Sequence, residues 1–389
     1  MTNPVTNPYS DPDVLALAEA LQSRCSSEDL VTLAVEARAA LGPERGPAAL
    51  TLARLREKHR NKFPTWRGFV GDRVSFEQAS GEAAATWRAA RFDGMRVLDL
   101  CCGAGGDTVA LSCSAEKVIA VDRDADRLEW ARLNVARYGN PERVTFLQTD
   151  CIAGLRDADG AVLDPDRRSS GTRQFGGRAI RPEDYEPPLD AWNAIRKRVG
   201  TLAVKVAPGM PYDAMPAGAV PEFVEDRGEL REAVLWFGDH TLATRQAVVL
   251  PRRDVLRADE SEEQRIDEIG SVLYDPGPAV VRGHLVTHLA ARLDAYRIDP
   301  EIAYLSANGD PLETSFAASF RVEAVIPWSL RRLQTALDER NVGSVEIRAR
   351  RFPVRPDALR RMLRLDGDEA RTLICTRVGG TPVIAVCRG

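Results

Sequence analysis

At 389 residues the chain exceeds one ordinary domain, so two or three are expected. Its 44% hydrophobic and 28% charged content is that of a globular protein with real cores, and no apolar run approaches the roughly eighteen residues of a membrane span. The net charge of −4 argues against a chain coated all over with nucleic acid, although it can hide a local basic patch.

The first eight residues carry neither a basic start nor an apolar stretch, so no secretory signal is expected. The seven cysteines (Cys25, Cys101, Cys102, Cys113, Cys151, Cys375 and Cys387) include no CxxC pair. A reduced, cytoplasmic compartment fits them, with the thiols serving as small buried apolar groups.

Residues 11–60 are rich in Ala, Leu, Glu and Arg, with apolar side chains at helical spacing (Val14, Leu15, Ala18, Leu21; then Leu30, Leu33, Ala34, Ala37). Asp11-Pro12 reads as a helix start and Gly42-Pro43 as a stop, which predicts a small helical domain over residues 1–75. From Met95 short apolar strands alternate with helical stretches. The strands fall at 95–100, 118–121, 144–147, 161–163 and 202–206, a helix at 124–138, and closing strands at 233–237 and 246–250. This alternation predicts a parallel, doubly wound α/β sheet within residues 76–255.

Beyond Arg253 the rhythm changes. A polar helix over 261–269, a break at Pro276-Gly277-Pro278, a helix over 281–296 and a strand over 302–306 are expected. Strands at 320–325 and 345–350 and helices at 329–340 and 356–364 follow, and the chain closes with a hairpin of 372–377 and 382–387 about Gly379-Gly380. This is an α+β module. Residues 320–389 hold fourteen arginines, no lysine and eight acids, a net +6. His284 and His288 stand four apart on the expected helix, a spacing metals use, but no third ligand accompanies them and no metal is expected.

The segment Val97-Leu98-Asp99-Leu100-Cys101-Cys102-Gly103-Ala104-Gly105-Gly106-Asp107 reads as strand, glycine turn and helix start. Glycines there let the backbone turn tightly and approach a ligand. A pyrophosphate-binding turn needs no acid on the strand before it. Asp99 stands in that place, able to receive the ammonium of an amino acid, which favours a sulfonium amino-acid cofactor over NAD. Asp122 ends the next strand, nineteen residues after Gly103, where a carboxylate accepts both ribose hydroxyls. Asp150 follows the third strand, placed for an adenine amino group. A plainer reading gives the glycines only a tight turn and the aspartates only helix caps. The glycine turn alone is weak evidence; acids on successive strand ends make it strong. Cys101, Gly103, Gly105, Asp107, Arg123 and Cys151 complete this candidate cofactor set. Upstream, Gln78 and Ser80 belong to a stretch assigned to the methionine end, with a helix-capping role for Ser80 equally open.

On these residues the region resembles the class I S-adenosylmethionine (SAM)-dependent methyltransferases, with Asp99 in the first motif, Asp122 in the second and Asp150 in the third. Cys101 departs from the family by occupying the first glycine position of D-x-G-x-G. The resemblance implies a Rossmann-like fold and SAM as cofactor. Such enzymes place methyl-acceptor contacts after the fourth strand, here Asp164-Pro165-Asp166-Arg167-Arg168. Nucleic-acid amino-methyltransferases read Asn/Asp-Pro-Pro-aromatic at this place. Asp164 and Pro165 keep the acceptor half, while Arg167 replaces the stacking aromatic with a planar guanidinium that stacks or holds phosphate. These three are the candidate catalytic residues. Methyltransferases of uracil carbon carry a cysteine after the fifth strand; this chain reads Val204-Lys205-Val206-Ala207-Pro208-Gly209, without one. Lys205 either positions substrate or anchors the sheet edge. Residues 167–181 hold Arg167, Arg168, Arg173, Arg178 and Arg181 and no acid, a basic loop suited to a phosphate-bearing substrate.

With residues 76–82, Ile302-Ala303-Tyr304-Leu305 and Arg377-Val378-Gly379-Gly380, these stretches resemble a bacterial group of class I methyltransferases. Its members carry a ferredoxin-like segment, here 256–318, and a C-terminal THUMP-like domain, here 319–389. By that resemblance the expected partner is RNA, held by the loop at 167–181 and residues 320–389, and the expected reaction is methylation of an RNA nitrogen. The rival readings are a small-molecule methyltransferase with a C-terminal lid and a non-catalytic RNA-binding protein that retains SAM.

Overall fold

The computed structural model describes residues 7–167, 182–238, 244–258 and 265–388. The basic loop expected at 167–181 lies outside them except for the backbone of Arg167, as does the start of the helix expected at 261–269. Two compact units emerge, Met1–Val220 with Glu232–Ala243, and Pro221–Arg231 with Thr244–Gly389.

The first unit opens with α1 (Pro12–Gln22) and α2 (Leu30–Lys58). Asp11 caps α1 by accepting from the N–H groups of Asp13 and Val14, and Pro12 fills a position that needs no donor. Gly42, at φ +83°, breaks the helical path, but the helix resumes at Pro43, so the expected stop is a kink. Next come α3 (Arg73–Gln78), α4 (Glu82–Ala89), β1 (Arg96–Leu100), α5 (Gly106–Ser114), β2 (Lys117–Asp122), α6 (Ala125–Tyr138), β3 (Val144–Gln148) and β4 (Gly160–Leu163). Two short strands, β5 (Asp166–Arg167) and β6 (Tyr185–Glu186), precede α7 (Leu189–Arg196) and β7 (Thr201–Val206). After β8 (Val220–Asp226), β9 (Glu229–Gly238) returns to this unit.

Its strands lie in the order β9-β7-β4-β1-β2-β3. Every pair is parallel except β7 with β9, which corrects the expectation of a wholly parallel sheet. No α-helix lies between β7 and β9, only the three-residue 3-10 turn Tyr212–Ala214, so nothing makes the crossover that a parallel return requires. All residues of β4 and β7 are buried, as befits central strands covered on both faces. Leu21, Leu33, Leu52 and Phe63 of the N-terminal region share one core with Phe92, Val97, Val162 and Trp236.

In the second unit β10 (Gln246–Leu250) pairs parallel with β8 and antiparallel with β11 (Asp254–Arg257). There follow β12 (Val272–Pro276), α8 (Pro278–Arg282), α9 (Val286–Arg292), β13 (Tyr296–Arg297), β14 (Leu305–Ala307) and β15 (Ala317–Pro327). The chain finishes with α10 (Leu330–Asp338), β16 (Val342–Ala349), α11 (Pro356–Met362), β17 (Glu369–Val378) and β18 (Thr381–Arg388). Seven strands form a sheet ordered β13-β14-β12-β15-β18-β17-β16. Leu333, Ala336 and Leu337, spaced for one helix face, bury α10 in the core beside Leu373 and Ile384.

Two expectations fail in this unit. The helix predicted at 281–296 is two short helices parted at Gly283-His284, with His284 at φ +53°. His284 and His288 therefore share no helix face, and no metal-holding cluster occurs among the described residues. Residues 265–270 are not helical; Ile266 bridges Arg297, a tertiary pairing that overrides a polar, helix-compatible stretch. No helix among the described residues is long and apolar enough to cross a membrane.

Candidate active site

Strand register assembles the site. Leu100 pairs with Val121 and with Leu163, and Leu163 pairs with Val204. One residue further along each strand stand Cys101, Asp122, Asp164 and Lys205. Four chemically distinct groups thus line one level of the C-terminal sheet edge, where open α/β sheets bind ligands.

The turn after β1 runs through left-handed backbone at Cys101 (φ +61°), Gly103 (φ +54°) and Gly105 (φ +82°). Cys101 therefore takes a glycine's conformation at a cost of roughly 1–2 kcal/mol. A Cβ on Gly103 would meet nothing within 4 Å, so open space lies beside this turn. A Cβ on Gly105 would sit 2.8 Å from that of Ala131 on α6, so this glycine lets the two helices close together. Asp122 fixes the turn by accepting from the Gly103 N–H at 2.9 Å and, through its other oxygen, from the Asp124 N–H at 3.0 Å. Asp150 is exposed and accepts from Ile152 N–H at 2.9 Å; Cys151 beside it is buried, and Arg123 is exposed. Hydrogen bonding to Cys151, reinforced by burial, holds the Cys101 thiol far above its ordinary pKa.

Beneath the turn lies a buried ionic cluster. Asp107 accepts from Arg88 Nη2 at 2.7 Å, from Ser80 Oγ at 2.8 Å and from Lys205 Nζ at 3.4 Å. Arg88 also donates to Glu232, and Lys205 to Asp164. Burial alone would raise the pKa of Asp107, yet Arg88 and Lys205 hold it well below the usual carboxylate range. Burial likewise opposes the charge on Lys205, but Asp164 and Asp107 reverse that and keep it cationic. Asp164 is the cluster's outlet, with a carboxylate 35% exposed while Lys205 is 8% exposed. Its backbone N–H donates to Leu100 O at 3.1 Å, tying the end of β4 to β1.

Asp99 differs from its neighbours. Thr108 Oγ1 donates to its Oδ2 at 2.5 Å, while Oδ1 is buried without a partner among the described residues. Burial, with the negative charge of Asp107, pushes its pKa up to about 7. An unsatisfied carboxylate oxygen under a glycine turn fits a ligand's ammonium group.

Of the residues singled out from sequence, Asp99, Cys101, Gly103, Gly105, Asp107, Asp122, Asp164 and Lys205 converge here. Ser80 joins them by binding Asp107; it does not cap α4, whose N-cap is Gly81. Gln78 is exposed at the end of α3, and Pro165 is buried. Arg167 pairs through its backbone with Tyr185, and its side chain lies outside the described residues. Arg88, Thr108, Glu232 and Tyr185 were not foreseen. Tyr185 is 1% exposed, its hydroxyl accepting from the Ala207 N–H at 2.7 Å and its ring meeting Trp192 edge-on. The aromatic nearest the Asp164 segment in the β5–β6 ladder thus braces the loop after β7 rather than offering a stacking face.

A mostly parallel sheet with a glycine turn and acid-tipped strand ends defines the class I, Rossmann-like methyltransferases. Comparison with known proteins agrees. Residues 94–167 match the family model described as RNA cap guanine-N2 methyltransferase, and residues 317–389 match that described as THUMP domain-like. The chain is 33% identical over 311 residues to an uncharacterised S-adenosylmethionine-dependent methyltransferase of Mycobacterium tuberculosis, a match spanning 78% of this chain and 84% of the relative. A shorter match, 32% identical, covers 32% of this chain and 28% of a 23S rRNA (uracil(1939)-C(5))-methyltransferase of Shewanella woodyi. A crystal structure from Porphyromonas gingivalis W83, provisionally assigned as a methyltransferase, has the same fold, with a TM-score of 0.77 at 21% identity over 97% of this chain and 98% of that one. The chain belongs to the SAM-dependent methyltransferase family and carries a THUMP-like C-terminal domain.

Proposed function

We propose that this methyltransferase transfers the methyl group of SAM to a nitrogen of an RNA nucleotide. The observation that carries the proposal is the Asp164 carboxylate, held by Lys205 at the sheet edge and partly open to solvent. Asp99 Oδ1 receives the cofactor ammonium, the Gly103–Gly105 turn and Cys101 lie along the methionine moiety, and Asp122 accepts from the ribose. Both Asp122 oxygens already accept one hydrogen bond, and each keeps a lone pair for a ribose hydroxyl. Asp150 and Cys151 lie toward the adenine, with Arg123 flanking it and Gln78 toward the methionine end. Ser80 and Asp107 support this floor from below.

When bound, SAM supplies a methyl group already activated on a sulfonium centre, so the protein's task is alignment. Asp164 accepts a hydrogen bond from the acceptor N–H and leaves the nitrogen lone pair aimed along the line of transfer. Lys205 opposes the burial that raises the Asp164 pKa, so it favours the ionised carboxylate and limits its rotamers. Pro165 directs the chain so that the Asp164 carbonyl stays available, and Arg167 serves the base or its phosphate. The absence of cysteine after β7 weighs against a covalent route to uracil carbon. In this reading residues 76–255 perform the chemistry, with RNA reached through the ferredoxin-like and THUMP-like segments and the arginines of 167–181.

RNA is supported by the THUMP-like match, the +6 charge of residues 320–389 and the RNA cap guanine-N2 methyltransferase match. The test is transfer of tritiated methyl from SAM to RNA taken from a strain lacking the gene. Label sensitive to ribonuclease and released as an N-methylated nucleoside is expected. Label that survives ribonuclease and is lost to protease would refute the RNA assignment.

A further inference from the structure

The second unit contains a cavity of about 890 Å³ whose lining residues all belong to that unit and none to the sheet edge described above. Its volume falls within the roughly 300–1,000 Å³ range of small-ligand sites. Val249 and Val281 contribute an apolar wall, and Arg282, Arg348 and Arg350 contribute cations.

These arginines are pre-arranged. Each guanidinium lies over an aromatic face, Arg282 on Phe223 at 4.9 Å, Arg348 on Phe320 at 5.0 Å and Arg350 on Tyr304 at 5.2 Å. Arg348 and Arg350 also share one carboxylate, that of Asp275, at 2.9 and 2.8 Å. Arg348 is paired as well with the exposed Glu346 at 2.8 Å, outside the cavity lining, and the lining itself sets Arg227, Arg282, Arg348 and Arg350 against only two acids, Asp275 and Glu225. The cavity's other acid, Glu225, is 5% exposed and is engaged by the Ala279 N–H, from which it accepts at 3.2 Å. Planar, stacked guanidiniums suit the bidentate recognition of phosphate oxygens, and their aromatic supports reduce the entropy lost on binding.

We propose that this cavity binds a nucleotide, its phosphate on Arg348, Arg350 and Arg282 and its base against the apolar wall. The phosphate belongs either to an RNA strand, in which case the site rests on the RNA reading above, or to a free mononucleotide.

The experiment titrates full-length protein with a fluorescein-labelled single-stranded RNA by anisotropy and with AMP by calorimetry. Wild type is compared with Arg348→Gln/Arg350→Gln and, separately, with Arg282→Gln. The double variant strands Asp275, so its thermal transition is recorded alongside; Arg282→Gln leaves the Arg348–Asp275 and Arg350–Asp275 pairs in place, and its thermal transition is recorded too. We expect about tenfold weaker binding in the double variant and a salt slope smaller by about one per lost phosphate contact. Arg282→Gln weakens binding severalfold with SAM affinity unchanged. If RNA binds wild type and the folded variants equally, the cavity proposal fails and the RNA reading stands. If AMP binds in an arginine-dependent way while RNA does not bind, the cavity proposal stands and the RNA reading falls. Binding of neither probe to wild type overturns both.

Discussion

Asp99 offers one carboxylate oxygen to Thr108 and keeps the other buried with no partner among the described residues, with a pKa of about 7. A cationic ammonium beside it favours the ionised form, so SAM binding expels a proton whenever pH lies below about 7. SAM affinity is therefore expected to rise with pH up to about 7, by at most tenfold per unit, and to level off above it. Calorimetry across that range should show the slope in wild type and none in Asp99→Asn, which also binds more weakly; a flat wild-type profile would contradict the assignment. Lys205 supports a second prediction. Burial already holds the Asp164 pKa above its ordinary value against the opposing pull of Lys205; without Lys205 it rises further, favouring a protonated carboxyl that cannot accept from the substrate N–H. Lys205→Met should lose about 10–100-fold in kcat at neutral pH, with SAM affinity retained and activity partly restored as pH rises. Unchanged turnover would leave Lys205 as an anchor of the sheet edge. Asp99, Asp122 and Asp164 were legible in the sequence because strand ends and glycine turns mark their own positions. Arg88 and Glu232 were not: they meet across 144 residues, and Arg88 is one of two arginines in the stretch Trp87-Arg88-Ala89-Ala90-Arg91, with nothing local to tell them apart.

At the scale of elements, the glycine turn carries a measurable constraint. Gly105→Ala forces a side chain into left-handed backbone and onto Ala131, which should cost about 2–4 kcal/mol in urea unfolding. Loss of less than about 1 kcal/mol would mean that α5 and α6 adjust freely. Period and punctuation revealed β1, β2, β3, β4 and β7, whose buried apolar runs end at turns. They did not reveal the direction of β9, since an apolar run carries no sign of whether its partner lies parallel or antiparallel. The stretch at 281–296 reads helical in composition, yet its only feature for a break is Gly283, and the left-handed backbone falls on His284. The metal reading of His284 and His288 presumed an unbroken helix.

Across the whole molecule, the sequence shows an α/β region followed by a basic α+β module, and the structure divides differently in detail. Segment 221–231 groups with the C-terminal residues, and the N-terminal helices share a core with the catalytic sheet. Neither grouping can be read from sequence, because both depend on contacts between segments far apart in the chain. What the sequence does convey is that acids stand at the sheet edge, and we propose that they bind a sulfonium amino acid. That claim is tested most directly by calorimetric titration of SAM into wild type and Asp122→Ala. The account predicts one SAM bound by wild type and at least about a hundredfold loss in the variant, since the carboxylate holds the Gly103 turn and is the group proposed to accept from the ribose. Equal affinity in the two proteins would contradict it.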